Sequence, residues 1–431
     1  MKRKVKRLIK DFVKKLCGQN PRLIARLYAS WQGLNGVPLA TDSAVLAEFI
    51  GARDNNSRVL RGTHGINLLG YLSGEFGLAE SARAFAHALD TGQLAHVLNN
   101  VKMGGHSYAD TTLTNFSMDN PYFVNLITAN TDMLAAVSKE KGREYFADKY
   151  NVGLWYWETP HFPKYWWSHF SLLDEVWVTS DFCAAAISKV SPIPVAKITY
   201  PFQVRQPKPH FNKQHFGIDP QNFAFVFSFD FFSVFERKNP LAVIEAFRRA
   251  FRSDDQVILV LKANNTQGNP HLVELMHKTA QGLEIQIIAE RLKHEEVLGL
   301  FAACDCLVSL HRSEGLGLGM AEAMSLGKPV IATAYSGNME FMNVNNSFLV
   351  KYDLIELKKD YGPYAKGDVW ADADIEHAAY LMRYAYQNQE EARNIGARAA
   401  QDIRTQLNPS MTARDIEARL KLVSQMFPSV Q

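Results

Sequence analysis

Cysteine is scarce in this chain, and no apolar run is long enough to cross a membrane. Only four of its 431 residues are cysteines. Cys304 and Cys306 lie in an apolar segment without His or Cys partners at ligand spacing, so core packing is favoured over a metal site. No apolar run approaches the ~18–20 residues that a spanning helix requires. Together these features fit a reducing, cytoplasmic setting. All four cysteines are scattered: Cys17, Cys183, Cys304 and Cys306.

The chain also lacks a large excess of charge of either sign. The formal net charge is +3, so the field of the whole protein does not favour nucleic acid as a partner. Hydrophobic residues make up 47% of the chain and charged residues 21%, which is typical of a globular protein. At roughly 100–200 residues per domain, this length predicts two domains and an extra segment.

The N-terminal segment 1–16 is rich in Lys and Arg, but it lacks the uninterrupted apolar core of a secretory signal. Its apolar residues fall at helical spacing, which predicts a basic amphipathic helix. Such a helix could lie on an anionic membrane surface, or it could be a solvated helix that packs on the protein or a partly disordered tail. The sequence leaves these readings open. The apolar residues are Val5, Leu8, Ile9, Phe12, Val13 and Leu16.

Beyond residue 58, short β-type runs alternate with helical stretches, and a Pro-rich stretch over 201–209 separates two such sets. This alternation predicts parallel sheets covered by helices, hence an α/β fold with two Rossmann-like domains facing a central cleft. We predict a helical extension over 1–58, domains over 59–205 and 206–405, and a terminal helix within 406–431. The predicted strands are Ile66–Leu69, His96–Leu98, Tyr122–Thr128, Val152–Trp157, Glu175–Thr179, Lys197–Tyr200, Phe223–Phe229, Gln256–Leu261, Glu284–Ile288, Cys306–Leu310, Pro329–Thr333 and Ser347–Val350.

The most informative segment is 311–334, which follows the predicted strand Cys306–Leu310 and predicts a Gly-rich loop, a helix ending at Gly327 and another strand. Such a unit offers backbone N–H groups at a helix N-terminus to a phosphate. Glu314 and Glu322 stand eight positions apart around the loop, and a carboxylate can accept hydrogen bonds from both hydroxyls of a diol. Gly315 and Gly317 allow close approach of the backbone. These features favour a sugar nucleotide, although two acids could also be solvated in an ordinary βαβ unit.

The full pattern, Ser-Glu-Gly-x-Gly-x-x-x-x-Glu-Ala-Met-x-x-Gly-x-Pro-Val, resembles the Glu-x7-Glu signature of retaining GT-B glycosyltransferases, in particular family 4. The resemblance implies that Glu314 contacts the transferred sugar and that Glu322 contacts the ribose. It also implies that the backbone of Gly315, Leu316 and Gly317 lies near sugar and diphosphate. It further implies a final helix, about 410–428, that crosses back to the first domain.

A second similarity follows the first strand of the second domain. Lys238 matches the Lys with which the family neutralises the departing diphosphate, before a helix that Pro240 begins. The family's Gly-Arg is absent, and Phe229-Asp230 stands in its place. Arg237 is the candidate substitute. The alternative is that both basic residues are surface charges at a helix start.

The first domain carries weaker similarities. The segment Gly70–Arg83 looks like the opening of bacterial family 4 enzymes that build cell-surface polysaccharides, with Gly74 and Gly77 allowing close backbone approach. Where family members have a sugar-contacting His, this chain has Trp157 or Glu158. Three further groups are site candidates: Glu158 and His161 at a strand end, Gly337 near the diphosphate, and Asn130 with Asp132 on the acceptor side. The tryptophans of this region could equally be packing residues: Trp155, Trp157, Trp166 and Trp167.

The resemblance implies a retaining, metal-independent hexosyltransferase that acts on a glycan or lipid-linked glycan in surface polysaccharide synthesis. No Asp-x-Asp metal motif stands in the right context, and the nucleotide-sugar is a co-substrate, so no cofactor is expected. Glu314 and Lys238 are the catalytic candidates. We expect a cytoplasmic protein, and the sequence leaves open peripheral contact with the inner face of the cell membrane. Two alternatives remain: a non-catalytic sugar-nucleotide-binding subunit of an assembly complex, and a GT-B sugar-nucleotide epimerase.

Overall fold

A computed structural model describes residues 59–102 and 107–427, together with the backbone of 429–430. The predicted helical extension over 1–58, with its basic helix and Cys17, lies outside the described residues. Cys183, Cys304 and Cys306 are free and buried. None of the helices in the described part is long and apolar enough to span a membrane.

The first domain is built on a six-stranded, all-parallel sheet in the order β3-β2-β4-β5-β6-β7. Its central strands are almost fully buried, as expected for a sheet covered on both faces. The strands are β2 (Thr63–Gly70), β3 (His96–Asn100), β4 (Tyr122–Ile127), β5 (Tyr150–Leu154), β6 (Glu175–Val178) and β7 (Val195–Lys197), preceded by β1 (Leu60–Arg61). The helices are α1 (Gly77–Thr91), α2 (Thr131–Lys141), α3 (Arg143–Phe146) and α4 (Asp181–Ser188).

The second domain repeats this design with the order β10-β9-β8-β11-β12-β13, the strand order of the doubly wound dinucleotide-binding fold. The prediction of two Rossmann-like domains with parallel sheets is therefore confirmed. Its strands are β8 (Phe223–Asp230), β9 (Val257–Asn264), β10 (Ile285–Ile288), β11 (Cys306–Ser309), β12 (Val330–Thr333) and β13 (Phe348–Val350). Its helices are α5 (Phe235–Lys238), α6 (Pro240–Ala250), α7 (Pro270–Ala280), α8 (His294–Ala303), α9 (Leu318–Ser325), α10 (Ile375–Gln387) and α11 (Gln389–Gln406).

A row of buried asparagines fixes the register of the first sheet. Asn67 on β2 donates to the Oδ1 of Asn125 on β4 (2.9 Å), and Asn125 donates to the Oδ1 of Asn151 on β5 (2.8 Å). Asn151 ends the row at the carbonyl of Phe146 (3.0 Å). A buried amide without a partner is costly, so slipping any of these strands by one residue would be strongly opposed.

The short helix α9 is bounded by two glycines with left-handed backbone. Gly317, with φ +95°, precedes it, and Gly327, with φ +74°, follows it. The N–H of Lys328 reaches the carbonyl of Ala323 (3.0 Å), and that of Gly327 reaches Met324 (2.9 Å). This is the Schellman arrangement, and it ends the helix where the sequence predicted.

Two predicted strands extend well beyond the ends of the observed ones, Leu154 and Lys197, because side chains replace the sheet ladder there. After β5 ends at Leu154, the N–H of Tyr156 donates to Asn130 Oδ1 (3.0 Å), so the strand does not run to Trp157. At the sheet edge, β7 covers Val195–Lys197 rather than 197–200, because the N–H of Thr199 donates to Asp415 Oδ2 (3.0 Å).

Two segments connect the domains. Helix α12 (Pro409–Met426) packs on α1, and its Arg419 pairs with Glu175 of β6 (2.6 Å); β16 (Ser429–Val430) then pairs with β1. The second segment, which the sequence analysis missed, is Tyr352–Ala373, hereafter the arm. It comprises the antiparallel strands β14 (Tyr352–Glu356) and β15 (Val369–Ala373), and its apolar side chains join the hydrophobic core of the first domain.

Candidate functional site

The second sheet reverses its strand order between β8 and β11, the place where open α/β sheets bind ligands. The segments that leave the carboxyl ends of these two strands carry Lys238 and Glu314. Because the strands are hydrogen-bonded neighbours, the two segments meet above them. The structure thus brings together three residues that the sequence singled out separately: Arg237, Lys238 and Glu314.

Glu314 lies between the two cations. Its Oε1 accepts a hydrogen bond from Lys238 Nζ, and its Oε2 lies 3.3 Å from Arg237 Nη1. Burial opposes ionisation of this carboxyl, but Lys238 and then Arg237 outweigh it and lower the pKa of Glu314 to about 2. For Lys238, burial comes first and the adjacent Arg237 adds to it, so its pKa is lowered despite Glu314. Glu314 is therefore a carboxylate at neutral pH.

Arg237 also holds the two segments together. Its Nη1 donates to the carbonyl of Ser313 (2.7 Å), and its Nε donates to that of Ser233 (3.1 Å). The side chain is buried, and the intervening Val234 has a φ of +63°. A β-branched residue rarely adopts that backbone, and such strain is common at functional sites.

The Gly-rich loop rests against the first domain. The carbonyl of Gly315 accepts hydrogen bonds from Ser180 Oγ (2.7 Å) and Cys183 Sγ (3.3 Å), at the start of α4. Leu316 is buried in the core. The N–H groups of Met320 and Ala321 donate to the carbonyl of Gly317 (3.0 and 3.2 Å), and no side chain caps this end of α9, so the N–H groups of Leu318 and Gly319 are the ones that could serve an anion.

Gly337 packs against the backbone of this loop. Its N–H donates to the carbonyl of Glu314 (2.9 Å), and a Cβ at this position would lie 2.2 Å from the carbonyl oxygen of Gly315. The glycine is thus required for close packing of two backbones. Its approach to a diphosphate stays a prediction.

Glu322 has a partner that the sequence analysis missed. His294, the first residue of α8, places Nε2 3.1 Å from Glu322 Oε1 and Nδ1 2.6 Å from Oε1 of Glu80 on α1. These three side chains border a cavity of about 30 Å³ between the domains. A bridge from one domain to the other therefore ends on the glutamate assigned to the ribose.

The arm connects Glu158 to the cations. Glu158 accepts a hydrogen bond from Tyr364 Oη (3.1 Å), and the Tyr364 ring lies 5.9 Å from the Arg237 guanidinium. His161 points elsewhere: its side chain is 69% exposed and pairs with Asp368 of the arm (2.8 Å). Trp157 is buried against Tyr364. Packing therefore describes Trp157, as it does two other buried tryptophans, Trp155 and Trp166.

The remaining first-domain candidates lie around the turn after β2 and the start of α2. Gly74 is buried, and a Cβ there would lie 2.6 Å from the Phe76 ring, so its own loop requires the glycine. Gly77 is exposed and begins α1 with no close neighbour. Asn130 accepts from the N–H of Tyr156, and Asp132 is exposed in the first turn of α2.

No group of three His, Cys, Asp or Glu side chains within 59–102 and 107–427 could hold a metal ion. Metal independence stays a prediction.

Comparisons with known proteins agree with this geometry. Residues 229–402 match the family Glycosyl transferases group 1. No curated protein matches the sequence. Among solved structures, HepE of Anabaena in complex with UDP and glucose is similar at 15% identity and a TM-score of 0.59, over 84% of this chain and 100% of that one.

Sucrose-phosphate synthase from Thermosynechococcus elongatus is similar at 13% identity and a TM-score of 0.62, again over 84% of this chain and 100% of that chain. A glycosyltransferase from Rickettsia africae is similar at 12% identity and a TM-score of 0.55, over 85% of this chain and 98% of that chain. The described part of this chain therefore has the GT-B fold, and residues 229–402 of its second domain match the family Glycosyl transferases group 1.

Proposed function

We propose that this protein is a retaining, metal-independent glycosyltransferase that moves a hexose from a nucleotide-sugar to a glycan or lipid-linked glycan. The observation that supports it best is the placement of Glu314 between Lys238 and Arg237 at the strand-order reversal, inside the Glycosyl transferases group 1 domain. HepE of Anabaena, which has the same fold, is solved with UDP-glucose. A nucleotide-sugar is accordingly the proposed donor substrate.

The chemistry follows from the charges. During transfer, the bond between the anomeric carbon and the diphosphate oxygen breaks, and negative charge grows on the diphosphate. Lys238, Arg237 and the first turn of α9 neutralise that charge. The ionised Glu314 orients the hydroxyls of the sugar rather than attacking it, and Glu322 takes the ribose. The acceptor oxygen bonds to the anomeric carbon from the face that the diphosphate leaves, and its proton passes to the diphosphate oxygen. No side-chain base is needed on this route.

We further propose that the transfer takes place at the inner face of the cell membrane. The first-domain segment Gly70–Arg83 resembles enzymes of surface polysaccharide synthesis, and the basic segment 1–16 would suit contact with an anionic membrane. A cytoplasmic enzyme with a lipid-linked acceptor at the inner membrane face would use both.

The test is a screen of thermal shift and sugar release with GDP-mannose, UDP-glucose, UDP-galactose, UDP-N-acetylglucosamine and ADP-glucose. Each sugar donor is repeated with Glu322→Ala and with EDTA, and NMR follows the anomeric configuration of the released or transferred sugar. We expect one donor to raise the melting temperature and release sugar slowly with retained configuration, unaffected by EDTA. Both effects should be lost in Glu322→Ala, whose urea midpoint serves as the folding control.

Other outcomes separate the alternatives. A thermal shift without release or transfer would favour a binding subunit. A modified sugar donor that appears without any acceptor would favour an epimerase. Loss of turnover in EDTA would contradict metal independence, and no response to any donor would contradict the proposed site.

A further inference from the structure

The bridge Glu80–His294–Glu322, hereafter the interdomain bridge, joins the two domains through one imidazole. Both ring nitrogens are engaged, Nδ1 by Glu80 and Nε2 by Glu322. The three side chains are 17%, 26% and 16% exposed, so solvent screens the bridge only in part. A histidine placed between two carboxylates in this way transmits the position of one to the other.

The charges around the bridge hold it in one arrangement. Oε1 of Glu80 also accepts from Arg83 (2.5 Å), and Oε2 lies 3.4 Å from Arg205. Burial would lower the pKa of His294, but Glu322 and Glu80 raise it to about 10, so the ring is an imidazolium at neutral pH. Two arginines fix Glu80, and Glu80 in turn fixes the imidazolium.

Glu322 is held by only one of its oxygens. Oε1 faces His294, whereas Oε2 contacts no hydrogen-bonding group among the described residues. A free glutamate on a helix samples several rotamers, and immobilising it after binding costs entropy. A carboxylate fixed through one oxygen offers the other to a hydroxyl without that cost.

We propose that His294 is a positioning residue for Glu322 and that Glu80, on the opposite domain, acts through it when the domains close. The ligand class is the ribose diol of a nucleoside diphosphate. The inference rests on the proposed function and deepens it: closure of the cleft prepares the ribose site as well as enclosing the sugar. By thermodynamic linkage, ribose binding then favours the closed state by the same factor.

The test variant is Glu80→Gln, and the chain supplies a matched control. Glu75 also pairs across the cleft, with Arg291 (2.6 Å), but it does not contact His294 or Glu322. Calorimetric titration measures the Kd of UDP, GDP and ADP, and of the 2′,3′-dideoxy form of whichever binds. Wild type, Glu80→Gln, His294→Gln and Glu75→Gln are compared at matched pH, with urea midpoints as folding controls.

We expect Glu80→Gln and His294→Gln to weaken diphosphate binding by about 5- to 150-fold, the usual range of coupling between sites. The loss should largely disappear with the dideoxy ligand, and Glu75→Gln should bind like wild type. If Glu80→Gln does not fold, His294→Gln carries the test, since it leaves Glu80 with its arginines.

Unchanged binding in both bridge variants would overturn the inference and leave the proposed function standing. An equal loss in Glu75→Gln, or a loss that persists with the dideoxy ligand, would also overturn it, because general domain closure would then explain the effect. Wild-type protein that binds none of the three diphosphates would overturn the inference and the proposed function together.

Discussion

Single side chains set the charge at the strand-order reversal. Glu314 faces two cations that lie next to each other in one short segment. One of them, Arg237, donates hydrogen bonds to the carbonyls of Ser233 and Ser313. Lys238 has Glu314 as its ion-pair partner. Its ammonium can therefore follow a diphosphate more easily than the braced guanidinium can. Lys238 is the group on which turnover should depend most.

Replacing Lys238 by Gln removes that charge and keeps most of the side-chain length. We expect sugar release from the bound nucleotide-sugar to slow by about 100- to 1000-fold, the usual cost of deleting one group that stabilises a transition state. Steady-state rates at saturating sugar donor measure it. Lys208→Gln is the control, because Lys208 is 60% exposed and its ion-pair partner among the described residues is Glu295 alone. Equal rates for the two variants would contradict the role of Lys238.

The segment at Gly337 packs directly on the Gly-rich loop at Gly315. Gly337 lies where a Cβ would collide with backbone atoms of the Gly315 loop, and backbone cannot move aside as a flexible side chain can. We expect Gly337→Ala to displace that loop, so that nucleotide-sugar binding weakens at least tenfold, with a loss of stability of about 1–3 kcal/mol. Titration calorimetry and urea unfolding measure the two effects. Gly268→Ala is the control, because a Cβ there meets nothing within 4 Å; wild-type behaviour of Gly337→Ala would refute the packing argument.

Local patterns in the sequence were sufficient for most elements. The glycines around α9 and Pro240 at the start of α6 impose their backbone conformations locally, and buried parallel strands are continuous apolar runs. The resemblance alone assigned Arg237, Lys238 and Glu314 to one site, and the pairing of β8 with β11, which the sequence did not predict, brings them to one edge of the sheet.

Contacts between distant segments were not predictable in this way. His294 joins Glu80 and Glu322 only after both domains have folded, and no spacing along the chain encodes that meeting. The arm was missed for a related reason: Tyr352–Glu356 is a short run without polar and apolar alternation, and nothing local indicates that Tyr364 will reach Glu158. His161, near a strand end, turns outward to Asp368, a contact that nothing local indicates, and its role in the site stays a prediction.

The stability of the whole molecule should follow the charge of the interdomain bridge. The pKa of His294 is raised from 6.5 to about 10, so its contribution is complete below pH 6.5 and is lost as pH rises towards 10. For Glu80, burial opposes ionisation, but His294 and the arginines lower the pKa from 4.5 to about 2, so its contribution is lost as pH falls below 4.5. The bridge should stabilise the protein most between these limits.

The measurement is the melting temperature of wild type minus that of His294→Gln across pH 3–10. We expect a gap of about 1–2 °C near pH 5–6, because about 1 kcal/mol shifts the melting temperature by about 2–4 °C in a protein of 150–250 residues and by less in this longer chain. This difference in melting temperature should narrow towards pH 3 and towards pH 10. Taking the difference cancels the titration of groups that do not interact with His294. A gap that stays constant with pH would contradict an ionised bridge.

The arm determines where this protein can be cut into units that each keep a complete core. Leu357, Tyr364 and Trp370 belong to the second domain by chain order, yet they are buried in the core of the first. Exchange of whole donor-side domains between related enzymes, by recombination or by a protein engineer, would leave one partner with a hole and the other with an exposed aromatic face. The unit that can be exchanged with its core intact is therefore the first domain together with residues 352–373. Chimeras cut at the interdomain connection alone would separate two halves of one core.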